Sequence, residues 1–167
     1  MATAHHSLSD FDYKDVPNAK GWRFGIVVSE WNSEVTSKLQ EGAIRTLIKF
    51  GASKNSIIVN YVPGAFELPL GCKFMISSEK PDAVIAIGCV IQGETKHFDY
   101  ICDSVASGIT RLNLDHSVPV IFGVLTTDNL EQALDRAGGK HGNKGDEAAV
   151  SAIKMVQLAQ NSTELPF

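Results

Sequence analysis

Four apolar runs punctuate the chain, at Trp22–Val28, Ile57–Val62, Ala83–Ile91 and Val118–Leu125, each rich in Val and Ile. None alternates cleanly between apolar and polar positions, which predicts parallel strands covered on both faces. Pro119 falls at the opening of the fourth run, a position a strand tolerates. Between the runs the period changes to that of a helix. Val35, Leu39, Ala43, Ile44, Leu47 and Ile48 share one face, and Gly51 stands where a helix stops. Ile101, Val105, Ile109 and Leu112 form a second stripe, and Ala149, Ile153 and Val156 mark a last helix. Asp128 with Glu131 three residues on predicts a capping pair that opens a further helix. Leu68–Ile76 also reads as helical, with Pro69 acceptable only in a first turn. Strand and helix in alternation predict an α/β layered sheet of four strands.

The ends of the chain alter this picture little. Residues 1–20 are polar and Asp-rich without a sustained period, and predict an extended arm ahead of a single domain over 21–167. With 167 residues the chain suits one domain of ordinary size. A net charge of -4 argues against nucleic acid or an anionic membrane as the main partner, since phosphate backbones call for a basic surface. Cys72, Cys89 and Cys102 form no C-x-x-C pair and no metal-finger spacing. With no apolar run of membrane length and no signal-peptide pattern, the expectation is a cytoplasmic protein.

Ligands of an open parallel sheet bind beyond the carboxyl ends of its strands, where loops and helix N-termini converge. The unusual residues of this chain collect there: Trp31 after the first run, Val62-Pro63-Gly64-Ala65-Phe66-Glu67 after the second, and Cys89 to Phe98 after the third. Neither G-x-G-x-x-G after the first strand nor G-x-x-x-x-G-K-[ST] is present, which disfavours a dinucleotide or nucleoside-triphosphate enzyme. Trp31, Phe66 and Phe122 beside the Glu67 carboxylate suit a planar heterocycle bearing hydroxyls or amides, but the same aromatics also suit a core.

His97 follows a Gly-x-Thr turn and precedes Phe98-Asp99-Tyr100. It is either a general acid/base for neutral pH or a helix-start histidine bonded to backbone. Asp99 and Asp103 lie one helical turn apart, a spacing more typical of a solvated face than of a metal site. Arg136-Ala137-Gly138-Gly139-Lys140-His141-Gly142-Asn143-Lys144-Gly145 is Gly-rich and basic and runs into a helix. It reads as a phosphate grip with Arg136 as its planar fork, or as a loop whose Arg136 answers the dipole of the preceding helix.

Four segments together, Val62–Pro69, Gly93–Tyr100, Val118–Gly123 and Arg136–Gly145, resemble the lumazine synthase family, and the likeness runs from about Arg23 to Leu158. The resemblance implies a three-layer sandwich with a four-stranded parallel, flavodoxin-like sheet between helical layers. It also implies the condensation of 5-amino-6-(D-ribitylamino)uracil with 3,4-dihydroxy-2-butanone 4-phosphate, giving 6,7-dimethyl-8-ribityllumazine, phosphate and water, without metal or organic cofactor.

On that resemblance His97 carries the proton and Trp31 stacks on the pyrimidine. Ala65, Phe66 and Glu67 hold the ribityl chain and ring edge, and Cys89, Val90 and Ile91 meet the uracil through backbone. Glu94 and Thr95 lie on the phosphate side, Arg136 forks the phosphate, and Lys144 lies near the site. Phe122 completes the aromatic wall from a neighbouring subunit. Gln92 departs from a basic residue common at its position, and Glu94 sets a negative charge near the phosphate. The implied assembly is a homo-oligomeric pentamer with sites at subunit interfaces, and the short Gly138–Gly145 loop favours closure into an icosahedral cage. The contrasting expectations are a non-catalytic flavin- or lumazine-binding module, a shell protein, or a small phosphosugar enzyme on the same scaffold.

Overall fold

A computed structural model describes residues 7–163. The elements alternate along the chain as β1 (Phe24–Ser29), α1 (Ser33–Lys49), β2 (Ile57–Val62), α2 (Leu68–Glu79), β3 (Ala83–Ile91), α3 (His97–Asp115), β4 (Val120–Thr127), α4 (Leu130–Asp135), β5 (Ala137–Gly139), β6 (Gly142–Asn143) and α5 (Lys144–Thr163). The main sheet is parallel throughout, in the order β2-β1-β3-β4. It is the middle of three layers and has an apolar core on each face. Leu39 and Leu47 of α1 and Ile153 of α5 pack on Phe24, Ile26 and Ile85 on one face. On the other, Leu68, Cys72 and Met75 of α2 and Val105 and Ile109 of α3 pack on Val27, Val84 and Ala86. Burying a Leu, Ile or Phe side chain fully stabilises by roughly 1.5–3 kcal/mol, so the two cores carry most of the driving force.

The central strands are the ones the apolar runs describe best. β1 is buried at every position and β3 at its first seven, as expected of strands sandwiched between helices. β2 departs from the expectation of cover on both faces. It lies at the sheet edge, and Asn60 and Tyr61 are exposed. Apolar β-branched composition marks a strand but does not reveal whether it has one neighbour or two. Pro119 precedes β4, and its carbonyl accepts the Val84 amide at 2.8 Å, so the missing N–H of proline costs the ladder nothing.

The α1 stripe lies against the core except for Ile48, which is 43% exposed. The helix closes where Gly51 predicts. Gly51 adopts φ 102°, its amide reaches the Ile48 carbonyl at 3.0 Å, and the Ala52 amide reaches Leu47 at 3.0 Å. Pro69 sits in the first turn of α2 as expected. The capping pair of α4 is displaced by one residue. Asn129 is the N-cap, and its side-chain oxygen accepts the Gln132 amide at 2.9 Å. Asp128 instead accepts from the Gln132 side chain at 3.1 Å.

Two features were not foreseen. The Gly-rich stretch is no open loop but a small antiparallel hairpin, in which Ala137 pairs with Asn143. The N-terminal segment within 7–20 does not stand away from the domain: Val16 and Ala19 join the α1/α5 core. Among the described residues no helix is long and apolar enough to cross a membrane. Asn129→Ala should lower unfolding free energy by about 1 kcal/mol in denaturant titration, and Asp128→Ala by clearly less, because only Asn129 satisfies an orphan helix amide.

Candidate active site

Parallel register brings the carboxyl ends of the strands to one edge. The Glu30 amide donates to the Val62 carbonyl at 2.8 Å and the Trp31 amide to Pro63 at 3.1 Å, so the pairing of β1 with β2 continues past the strands. This aligns Trp31 with the turn that leads into Ala65, Phe66 and Glu67. Asn32 follows with left-handed backbone, φ 59° and ψ 44°, a conformation Asn tolerates better than most residues. Its side-chain amide donates to the Cys89 carbonyl at 2.9 Å and ties the loop after β1 to the end of β3.

A cavity of about 630 Å³ opens at this edge. Of the residues the sequence nominated, Trp31, Ala65, Phe66, Glu67, Cys89, Val90, Ile91, Thr95 and His97 line it. Asn32, Gly64, Gly93, Phe98 and Ile101 complete the lining. None of these five was among the nominated site residues, although Gly64, Gly93 and Phe98 lie inside the segments that carry the family resemblance and Ile101 is only half-buried at the head of its apolar stripe. The left-handed Asn32 backbone leaves no mark in sequence beyond an Asn before a helix.

Trp31 is 73% and Phe66 56% exposed, so neither is a core aromatic in the single chain. They present flat apolar faces beside the half-buried Glu67 carboxylate. His97 is the first residue of α3 and exposed, with its own amide donating to the Thr95 hydroxyl at 3.4 Å. The backbone interaction is therefore made by the amide, which leaves the ring available to the cavity.

Four nominated residues lie outside this cavity. Glu94 is exposed on the loop between β3 and α3. Phe122 is the third residue of β4, opposite Ala86, and so is not at a strand's carboxyl end. It lies three residues short of the level of Cys89, about 10 Å along the sheet. Arg136 caps α4, with one guanidinium nitrogen donating to the Gln132 carbonyl at 3.0 Å, which is the dipole-answering arrangement. Lys144 opens α5 and is paired with Glu147 at 2.7 Å. The adjacent Ala133 and Ala137 pack in the α1/α5 core, whereas the cavity lies against α3 and the turn before α2. Arg136 is not among the residues that line the cavity with Trp31 and His97.

A family model described as 6,7-dimethyl-8-ribityllumazine synthase matches residues 21–160. The chain is 57% identical over 160 residues to the 6,7-dimethyl-8-ribityllumazine synthase of Phocaeicola vulgatus, covering 96% of this chain and 95% of that protein. It is 58% identical over 158 residues to the protein of that name from Porphyromonas gingivalis, covering 95% and 98%. It is 57% identical over 156 residues to that from Cytophaga hutchinsonii, covering 93% and 98%.

Cys89 contributes to the cavity wall but does not supply a nucleophile at neutral pH. Burial pushes its thiol up to about 11 and that of Cys72 up to about 12, because a thiolate there would lose its hydration. Folding therefore suppresses thiolate at both positions until the pH rises through these raised values. At pH 8, Cys72 and Cys89 should react with a thiol reagent only after unfolding, and fast labelling of either in the native protein would contradict this.

Proposed function

The chain belongs to the 6,7-dimethyl-8-ribityllumazine synthase family, and from that premise we propose how its own residues carry the reaction. The activity is a transferase step of riboflavin biosynthesis that joins 5-amino-6-(D-ribitylamino)uracil to 3,4-dihydroxy-2-butanone 4-phosphate. The observation that carries the residue assignment is the cavity itself, where two exposed aromatics, a carboxylate and an imidazole meet at the carboxyl edge of a parallel sheet.

The pyrimidine stacks on Trp31. Glu67 accepts from ribityl hydroxyls, with Ala65 and Phe66 shaping the slot. The backbone of Cys89, Val90 and Ile91 is the polar strip for the uracil edge. The substrate's own amine attacks the ketone, so no covalent residue is needed. Alignment of two reactants supplies of order 7–11 kcal/mol in favourable cases. His97 moves the protons that the addition and the loss of water require. Thr95 and Glu94 lie on the side of the phosphorylated ketone. A flavin-binding module or shell protein would have no need of an unpaired imidazole at the rim of this slot.

Phosphate sets the remaining requirement. Among the described residues that line the cavity, Glu67 is the carboxylate and His97 the base, and neither Lys nor Arg is in the lining. Arg136 and Lys144 meet that need if a second copy of the chain brings them, with Phe122, to the open rim. The family acts as an oligomer on small molecules, and this chain has a surface suited to that. Phe66, Leu70 and Phe74 succeed one another at helical spacing and are 56, 54 and 62% exposed. The assembly is a ring of five with shared sites, closed into an icosahedral cage, and its compartment is the cytoplasm. Light scattering should give the mass of a closed shell, and a discrete pentamer would remove the cage.

Mixing the two substrates with the protein should produce lumazine absorbance, and a flat trace would remove the enzymatic reading. His97→Ala should lower kcat by about 10²–10⁴-fold and still exceed the uncatalysed rate. Arg136→Ala should chiefly raise KM for the phosphorylated ketone. If the site is shared, oligomers refolded from a mixture of these two variants should, at limiting butanone phosphate, turn over faster than either parent; no gain would place the whole site in one chain.

A further inference from the structure

The first described residues of the chain are bound to the hairpin that follows Arg136. The Leu8 amide donates to the His141 carbonyl at 2.7 Å. The Ser9 hydroxyl accepts the Asn143 amide at 2.9 Å and donates to the Asp146 carboxylate at 2.7 Å. That carboxylate is almost wholly buried, and its other oxygen accepts from Arg45 at 3.0 Å and from the Thr46 hydroxyl at 2.9 Å. Gly142, at φ 83°, lets the segment lie directly on the hairpin backbone; a Cβ there would meet the Leu8 amide nitrogen at 2.9 Å and that of Ser9 at 2.8 Å. From the opposite side the Asn143 side chain donates to the Lys38 carbonyl of α1 at 2.9 Å.

The hairpin is thus clamped between α1 and the N-terminal segment, and Arg136 is the residue immediately before it. Ala137, next to Arg136, pairs with Asn143, and the Arg136 carbonyl accepts the Lys144 amide at 2.9 Å. Ser9 therefore bonds a residue directly across the strand pair from the neighbour of Arg136. Beyond this link, Arg136 is held by its own α4 end, through a 3.0 Å side-chain bond to Gln132 and a 3.1 Å amide bond to Ala133. A six-residue helix is a weak anchor, since short helices draw their stability from packing rather than from their own hydrogen bonds.

We propose that residues 7–10 are a strap whose Ser9 hydroxyl, held between the Asp146 carboxylate and the Asn143 amide, fixes the 137–143 hairpin and so positions Arg136 for the phosphorylated substrate. Ser9 and Asp146 are positioning residues: they act through the hairpin and do not themselves meet substrate. The inference rests on the assignment of phosphate to Arg136 made above. An N-terminal segment without catalytic side chains thereby sets the affinity for one of the two substrates.

The test is steady-state kinetics on the full-length oligomer, with each substrate varied in turn, for Ser9→Ala, Arg136→Ala and the double variant. Removing the Ser9 hydroxyl breaks both of its bonds. It should raise KM for the butanone phosphate about three- to tenfold, with kcat and KM for the aminouracil within about twofold of the parent. In the Arg136→Ala background the same change should add nothing, because the group it positions is gone. An Asp146→Asn chain keeps one acceptor oxygen, for Ser9 or for Thr46 but not for both, and should fall between Ser9→Ala and the parent in KM.

If Ser9→Ala leaves KM unchanged while Arg136→Ala raises it, the strap is overturned and the phosphate assignment stands. If Arg136→Ala itself leaves KM unchanged, both fall together. If Ser9→Ala depresses kcat and raises both KM values alike, or remains fully additive with Arg136→Ala, its role is general stability and the strap is overturned.

Discussion

The parallel pairing of β1 with β2 on one side and β3 on the other is the constraint from which the site follows. In a parallel sheet every strand ends on the same edge, so the loops leaving β1, β2 and β3 must meet there. The register opposes Ser29 to Val62 and Val28 to Ile87, which leaves Trp31, the turn before Phe66 and the end of β3 side by side. An antiparallel neighbour would send one of these loops to the far edge and divide the cavity. The Asn32 bond to the Cys89 carbonyl then locks what the register has brought close. The geometry of the site is a by-product of the core: Val27 and Val28 are buried on opposite faces, and their burial fixes where residue 31 emerges.

Charge imposes the next constraint. A phosphate leaving group is stabilised by fixed cations or by amides aimed at it, and a half-buried Glu67 in the same wall works the other way. Of the two cations proposed for the task, Arg136 answers its own helix end and Lys144 is paired with Glu147. A guanidinium that makes one side-chain bond to a carbonyl retains donors for a planar anion, whereas the Lys144 ammonium is already committed at 2.7 Å. Of the two, Arg136 therefore keeps the freer donors for the phosphate proposed above. On the proposal that a neighbouring copy supplies Arg136, catalysis and assembly become a single property.

Much of the fold was legible because burial dictates composition. β1 and β3 stood out as uninterrupted Val/Ile runs, and the α1 stripe identified its own inner face, apart from Ile48. The sequence concealed whatever depends on neighbours. An edge strand and a central strand have similar composition, so β2 read as if covered on both faces. Asp128 and Asn129 are both good N-caps, and only backbone conformation decides between them. The hairpin was hidden by its glycines, which signal a turn without revealing that Ala137 and Asn143 pair. The site was legible where aromatic and ionisable residues fall at strand ends, as with Trp31, Phe66, Glu67 and His97. It was not legible for Asn32, whose contribution is a left-handed backbone angle and one long-range bond. Phe122 shows the converse: an aromatic in the last run attracts attention, although its register opposite Ala86 sets it away from its own chain's cavity.

The N-terminal segment shows how polar sequence gains structure without an apolar period. Ser9 and the adjacent pair Arg45 and Thr46 come from distant parts of the chain and meet on one carboxylate, that of Asp146, while the Asn143 amide donates to the Ser9 hydroxyl. A buried carboxylate is tolerated only when its oxygens are satisfied, and here both are. The energetic logic runs in both directions. The segment is ordered by groups that would otherwise be left unpaired beneath it, and the hairpin is rigid because the segment covers it. Loss of the Ser9 hydroxyl leaves the Asn143 amide without this acceptor and the Asp146 carboxylate one donor poorer, so the penalty falls on the hairpin rather than on the apolar cores. On the proposed assignment of phosphate to Arg136, a perturbation confined to the hairpin reaches substrate through the residue at its base, which is Arg136.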